Sequence, residues 1–192
     1  MLPGVSVRWA SLSPRPQQSP LTAEWRSSLA PSDAVRLRAV RHPRQHALSV
    51  LAVVLLRLEA AGALGVEPLE VPLRWECPGC GAPDHGRPLV DGVVGVGGVG
   101  GGAPLGVSVA HAGDLAVVAM STAGPVGVDV EVVPDGQDPA DLRSWVRSEA
   151  ALKATGEGLA GDAAASQAAC AVHDLALAPA PPGVVAALAL LR

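Results

Sequence analysis

The chain has 192 residues, a formal net charge of −4 and a hydrophobic share of 49%, enough for one domain or two small lobes with a substantial core. Three cysteines cannot all pair, which argues against a disulfide framework. The start of the chain lacks an apolar signal core and apolar runs such as residues 50–56 are too short to span a bilayer, so a cytoplasmic protein with no membrane contact is expected.

The apolar share comes from Ala, Val and Leu, with no Phe or Tyr and four Trp. Charge is divided unevenly: residues 1–57 hold eight Arg against two acids, whereas 58–192 hold six basic residues against sixteen acids. A basic first part suits an anionic small molecule or partner. Nucleic acid is not expected, because no recognised nucleic-acid motif or aromatic interleaving accompanies the arginines.

In chain order, residues 1–30 are rich in Pro, Ser and Gln and read as an irregular segment with Trp9 and Trp25 as anchors. Ser32 is a candidate cap for a short helix ended by His42-Pro43. Arg44 to about Ala61 reads as an amphipathic helix with Leu48, Leu51, Leu55 and Leu58 as its core stripe, closed by Gly62 and Gly65. Strands are expected at about 71–75, 105–110 and 115–121. Between them, Cys77-x-x-Cys80 and His85 offer three zinc ligands without an identified fourth, and Pro78 and Gly79 oppose the helix that a redox cysteine pair uses. Gly95-Val-Gly-Gly-Val-Gly100 matches a dinucleotide fingerprint by letter. Gly101, Gly102 and Pro104 follow it in place of the helix that would hold a pyrophosphate, so it reads as a flexible insertion.

Residues 124–133 read as a strand between turn signals. Alternation puts Val126, Val128, Val130 and Val132 on one face and Gly127, Asp129 and Glu131 on the other, with the two carboxylates about 7 Å apart. Such a pair suits Mg²⁺, a hard ion commonly held by one or two carboxylates and substrate phosphates; a solvated polar face is the plain alternative. Asp138 and Pro139 then open a helix that Gly156 stops. Leu142, Trp145, Val146, Glu149, Leu152 and Lys153 lie on one stripe, so a carboxylate and the chain's single lysine share an otherwise apolar face. The alternative is an ordinary i, i+4 pair at the edge of a surface helix. Strands at 171–177 and 184–191 complete an α+β pattern with helices on antiparallel sheet.

Gly127-Val-Asp-Val-Glu131 and Trp145-Val-Arg-Ser-Glu-Ala-Ala-Leu-Lys153 resemble the two signature motifs of the Sfp-type 4′-phosphopantetheinyl transferases. Cys77-Pro-Gly-Cys-Gly-Ala-Pro-Asp-His-Gly-Arg-Pro88 is similar to the cysteine-bearing Gly-(Lys/Arg)-Pro element of actinobacterial members, Ser108-Val-Ala-His-Ala-Gly113 to the histidine element, and 183–189 to the closing strand. The resemblance implies an α+β fold of two similar lobes, each an antiparallel sheet with a packed helix. After the irregular residues 1–30, these would be an N-terminal lobe at 31–122 and a C-terminal lobe at 126–192, with the site in the cleft between them.

The implied activity is Mg²⁺-dependent transfer of the phosphopantetheine arm of coenzyme A to a serine of an acyl or peptidyl carrier protein, by a monomer. Asp129, Glu131 and Glu149 would hold the metal. Glu149 would accept the serine proton and Lys153 would neutralise the leaving phosphate, while Arg87, His111 and Lys153 would contact coenzyme A. Several positions depart from the pattern. Ser148 replaces a lysine, for which Arg147 is a partial substitute, and Val146 and Ala110 replace hydroxyl residues. Residues 47–55 of the long helix carry no charge, and only thirteen residues separate Glu131 from Trp145. A degenerate relative that keeps the fold and coenzyme A or metal binding without transfer is therefore the alternative.

Overall fold

The order of elements in the computed structural model is β1 (Val5–Ser11), α1 (Pro31–Ala39), α2 (Pro43–Leu64), a 3-10 turn (Pro68–Glu70), β2 (Leu73–Glu76), β3 (Arg87–Val93), β4 (Pro104–Ala112) and β5 (Leu115–Ser121), followed by β6 (Val126–Val132), α3 (Pro139–Thr155), α4 (Ala163–Ala169), β7 (Cys170–Asp174) and β8 (Val184–Leu191). It describes residues 2–12, 29–93, 104–158, 161–178 and 183–192; Trp25 and the glycine-rich stretch 95–100 lie outside them. The architecture is mixed α+β, with a five-stranded antiparallel sheet ordered β1-β5-β4-β3-β2 and a three-stranded antiparallel sheet ordered β6-β8-β7.

β5 explains how the layers fit. Every residue of this strand is buried, and its two faces serve different neighbours. Val118 and Met120 join the core beneath α2, whereas Val117 and Ala119 share a cluster with Val126, Val128 and Val130 of β6 and Leu188 of β8. The period of two thus places helix on one face and the second sheet on the other. Ser108 of β4 adds a polar tie, its Oγ accepting a hydrogen bond from the Val128 N–H at 3.0 Å.

The second sheet puts its other face against α3. Gly127 makes this close: a Cβ at that position would fall on the Ala150 carbonyl oxygen, so the helix backbone rests directly on the strand. Asp138 caps α3, accepting from the Ala140 N–H at 2.8 Å, and Gly156 ends it in the left-handed conformation at φ 80°. These are the boundaries that Asp138-Pro139 and Gly156 predict.

Several expectations need correction. Residues 5–11 are not irregular: Val5, Val7 and Trp9 alternate with Ser6, Arg8 and Ala10, and the strand pairs with β5 from Val5↔Ser121 to Ser11↔Leu115. β3, despite Pro88, and the short helix α4 were not anticipated. Ser32 lies inside the first turn of α1, where the Asp33 carboxylate accepts from the Ala30 N–H at 2.8 Å. α2 is also longer and more apolar than its letters in short runs indicate. At 22 residues it is long and apolar enough to cross a membrane, but more than half of its apolar window is buried within the protein. Val53, Val54, Leu56 and Ala60 are at most 1% exposed, while the expected stripe member Leu58 is 45% exposed. Arg57 takes the buried position beside it.

Arg57 and Asp33 form an ion pair in which both side chains are 1% exposed. Arg57 Nε and Nη2 donate to the Asp33 carboxylate at 2.7 and 3.1 Å, and Nη1 donates to the carbonyls of Pro68 and Val71 at 2.9 and 3.2 Å. One guanidinium thereby joins α1, α2 and the 3-10 turn, with each charge satisfied.

Candidate functional site

A cavity of about 560 Å³ opens where the two sheets meet, lined by β4, the start of β3, the β5–β6 link and the last turn of α3. Arg87, His111, Asp129 and Lys153, four of the residues singled out in the sequence, are in its lining. Glu131 and Glu149 are not. They sit beside it, two residues beyond Asp129 on β6 and one helical turn before Lys153 on α3.

Lys153 is held across the helix–strand interface rather than along its own helix. Its Nζ donates to Asp129 Oδ1 at 2.7 Å and to the Val128 carbonyl at 3.1 Å. The i, i+4 pairing with Glu149 is therefore not the contact that the lysine makes. Asp129 is 7% exposed, and its Oδ2 is buried with no hydrogen-bond partner among the described residues. Among the described residues the other such side-chain atom is Trp75 Nε1, and Trp75 lines the same cavity. An unmet acceptor and an unmet donor at one cavity are costly unless something that fills it completes them.

Glu131 and Glu149 both lie within reach of the Asp129 charge. Partial burial raises the pKa of Glu131 and, further along, the charge of Asp129 adds to it while Lys153 opposes. Burial likewise raises Glu149, with Asp129 and Glu131 adding and Lys153 opposing. Burial is the larger cause in both, and the added repulsion from Asp129 is what a cation would relieve. The donor chemistry fits a hard divalent ion: carboxylate oxygens, one of them buried and unpartnered. The oxygens are nonetheless not drawn together. Among the described residues, the group whose ligand atoms all lie within 4.8 Å of one another is Cys77, Cys80 and His85, not Asp129, Glu131 and Glu149.

A pH test follows from Glu149. A carboxyl that binds its proton more tightly in the folded than in the unfolded chain stabilises below the ordinary glutamate pKa, and that contribution is lost as pH rises through the raised value. Glu149→Gln should therefore raise the melting temperature at neutral pH without added metal, with the gain shrinking toward roughly pH 4. Thermal melts across pH check this; an unchanged or lowered melting temperature at neutral pH contradicts it.

His111 lies at the end of β4 with an exposed edge, yet it stands in the cavity wall, where desolvation lowers its pKa and Lys153 and Arg36 add to the effect. A neutral imidazole there can accept or donate a hydrogen bond at neutral pH. Arg87 lies over Gly156, where a Cβ would collide with its guanidinium, so the cation sits at the negative end of α3. Arg36 is a cavity residue that the sequence did not single out. It stacks 3.7 Å from the centre of the Trp75 ring, and burial lowers its pKa. Its signal was only the basic excess of the first 57 residues.

Two expected features are absent from the site. Arg147 does not replace the cation missing at Ser148, because its guanidinium is bound in bidentate fashion to Asp174 on β7 at 2.8 and 2.7 Å. Ser148 instead accepts from Gln167 of α4 at 2.6 Å and donates to the Ser144 carbonyl. Trp145 is not a packed stripe member but 51% exposed; Val146, Ala150, Ala151 and Ala154 make the helix contact, since a helix this close to the sheet has room only for small side chains.

Comparison with models of known protein families and with curated proteins finds no match.

Proposed function

We propose that this chain transfers the phosphopantetheine arm of coenzyme A to a carrier-protein serine, the activity implied by its resemblance to the Sfp-type transferases. The observation that carries the reading is the pairing of one cavity with both unmet buried polar atoms, on Asp129 and Trp75. The cavity wall combines Leu89, Leu105, Val107 and Val109 with the cations Arg36, Arg87 and Lys153. Such a wall suits a long ligand that has an extended, largely uncharged arm and an anionic end.

In this reading Asp129, Glu131 and Glu149 would hold Mg²⁺, which would supply neutralisation of phosphate charge. Arg87 and His111 bind the nucleotide phosphates. Lys153 keeps its ammonium at the leaving phosphate, while Asp129 and the Val128 carbonyl orient it. Glu149 takes the serine proton directly or through a water. The carrier, whether of fatty-acid, polyketide or nonribosomal peptide synthesis, would meet a monomer in the cytoplasm.

The test is incubation with coenzyme A, Mg²⁺ and a panel of apo carriers, followed by intact mass of the carrier. Attachment of the arm is expected. Asp129→Ala should abolish Mg²⁺-dependent coenzyme A binding by calorimetry while keeping the folded circular dichroism spectrum; undiminished binding sinks the metal assignment.

A second reading, binding without transfer, is favoured by particular observations. Lys153 occupies one Asp129 oxygen, the three carboxylates are not within common ligand distance, and the Ser148 position offers no cation. Coenzyme A binding with no modified carrier distinguishes it.

A further inference from the structure

We propose that Cys77, Cys80 and His85 bind zinc at the tip of the hairpin between β2 and β3, with the fourth tetrahedral position taken by a water or an external ligand. The loop is built to bring the three together. The Cys77 N–H donates to the Ala82 carbonyl at 3.0 Å and the Gly81 N–H to the Cys77 carbonyl at 2.8 Å, closing a tight turn around the Cys-x-x-Cys pair. Gly81 at φ 73° and Gly86 at φ 96° supply left-handed residues that side-chain-bearing ones rarely adopt. At Gly86 a Cβ would meet the backbone of Glu76 and Cys77, so the two ends of the loop touch.

The ligand atoms lie within 4.8 Å of one another, and Cys80 Sγ is 3.4 Å from His85 Nε2. For a tetrahedral ion with Zn–S of about 2.3 Å and Zn–N of about 2.0–2.1 Å, the S···N separation is about 3.6 Å. The side chains therefore stand almost at the spacing that one zinc ion imposes. A hard ion is disfavoured by the two sulfurs, which select zinc or a similarly thiophilic metal.

The other ring nitrogen supplies the orientation. His85 Nδ1 lies 2.7 Å from Asp84 Oδ1, so Nδ1–H donates to the carboxylate and the Nε2 lone pair is left facing the sulfurs. A carboxylate behind a metal-bound imidazole is a common supporting arrangement, and Asp84 is accordingly a positioning residue. The third cysteine, Cys170, is buried in the core between α3 and the second sheet and has no part in the cluster. The loop also borders the cavity through Pro78 and Gly86, with Arg87 immediately after it. Zinc would thus hold the segment that presents Arg87, whether or not the cavity catalyses transfer.

The experiment uses the full chain, purified and kept reduced, loaded with Zn²⁺ and counted by atomic spectrometry, and separately titrated with Co²⁺. One metal per chain is expected, with the strong visible bands of tetrahedral cobalt and a sulfur-to-cobalt charge-transfer band. Cys77→Ser and Cys80→Ser should each roughly halve the charge-transfer intensity per bound cobalt and weaken binding at least tenfold, and His85→Gln should weaken binding similarly. Asp84→Asn should lower affinity roughly 10–100-fold while the tetrahedral spectrum persists. These variants lie in an exposed loop, and circular dichroism confirms that each is folded. Octahedral cobalt only, no bound zinc in the reduced protein, or zinc retained in full by Cys80→Ser overturns the proposal.

Discussion

Arg57→Ala is expected to destabilise the protein by about 3–5 kcal/mol, because it leaves the Asp33 carboxylate buried without its counter-charge. The removed guanidinium also takes away the donor to the Pro68 carbonyl, whereas the Val71 carbonyl keeps the Leu73 N–H at 2.7 Å. In a chain of this size such a loss lowers the melting temperature by roughly 6–20 °C. The double substitution Asp33→Leu with Arg57→Met is expected to recover most of the stability, since replacing both charges by apolar groups removes the desolvation cost along with the attraction. Denaturant midpoints of Asp33→Leu, Arg57→Met and the double form a cycle that reads this directly, with Arg57→Ala measured beside them. A loss below about 1 kcal/mol in Arg57→Ala would place the pair among ordinary surface bridges, against its burial. The consequence reaches the cavity, because α1 carries Arg36 over Trp75 and is anchored to α2 through this pair.

Local patterns made β6 and α3 legible. A Gly-Pro turn signal, strict alternation, an Asp-Pro start and a glycine stop are short-range features, and each recurs in the structure where the letters put it. What periodicity cannot rank is which of several stripe residues meets the core. Trp145 and Val146 are neighbours on one stripe, but Gly127 lets the helix approach so closely that Val146 is enclosed and the larger indole remains outside. The partner of Lys153 was hidden for a similar reason: Glu149 is its neighbour in sequence, whereas Asp129 becomes its neighbour only when α3 docks on β6.

Other elements were obscured by averaging or by unusual pairing. The strand at 5–11 alternates clearly, yet it is followed by a Pro-, Ser- and Gln-rich stretch that dominates the composition of the first thirty residues. Arg57 interrupts an apolar helix as a surface residue would, and its burial depends on Asp33, 24 positions earlier. Candidate cavity residues spread over β3, β4, β6 and α3 were found because a family resemblance linked them. Arg36 and Trp75, which no quoted motif contains, emerged only from the three-dimensional arrangement.

Under the proposed transfer, Lys153→Ala is expected to lower carrier modification by one or more powers of ten with a smaller change in coenzyme A affinity. An ammonium at the leaving phosphate stabilises charge that grows in the transition state, so its loss falls on turnover more than on ground-state binding. Lys153→Arg should not restore the rate, because a planar fork cannot take the place of a compact ammonium seated between the Val128 carbonyl and Asp129 Oδ1. The same substitution has a second readout that does not require transfer activity. Without Lys153, neither oxygen of the Asp129 carboxylate keeps a hydrogen-bond partner, which should cost about 1–3 kcal/mol of stability. The double variant Asp129→Asn with Lys153→Ala should recover part of that loss, as the buried charge is gone. Single-turnover transfer and denaturant unfolding, measured on the same preparations, separate the two roles. Full turnover in a destabilised Lys153→Ala would assign the lysine to holding Asp129 alone, and unaltered stability would contradict the interaction from which its placement is argued.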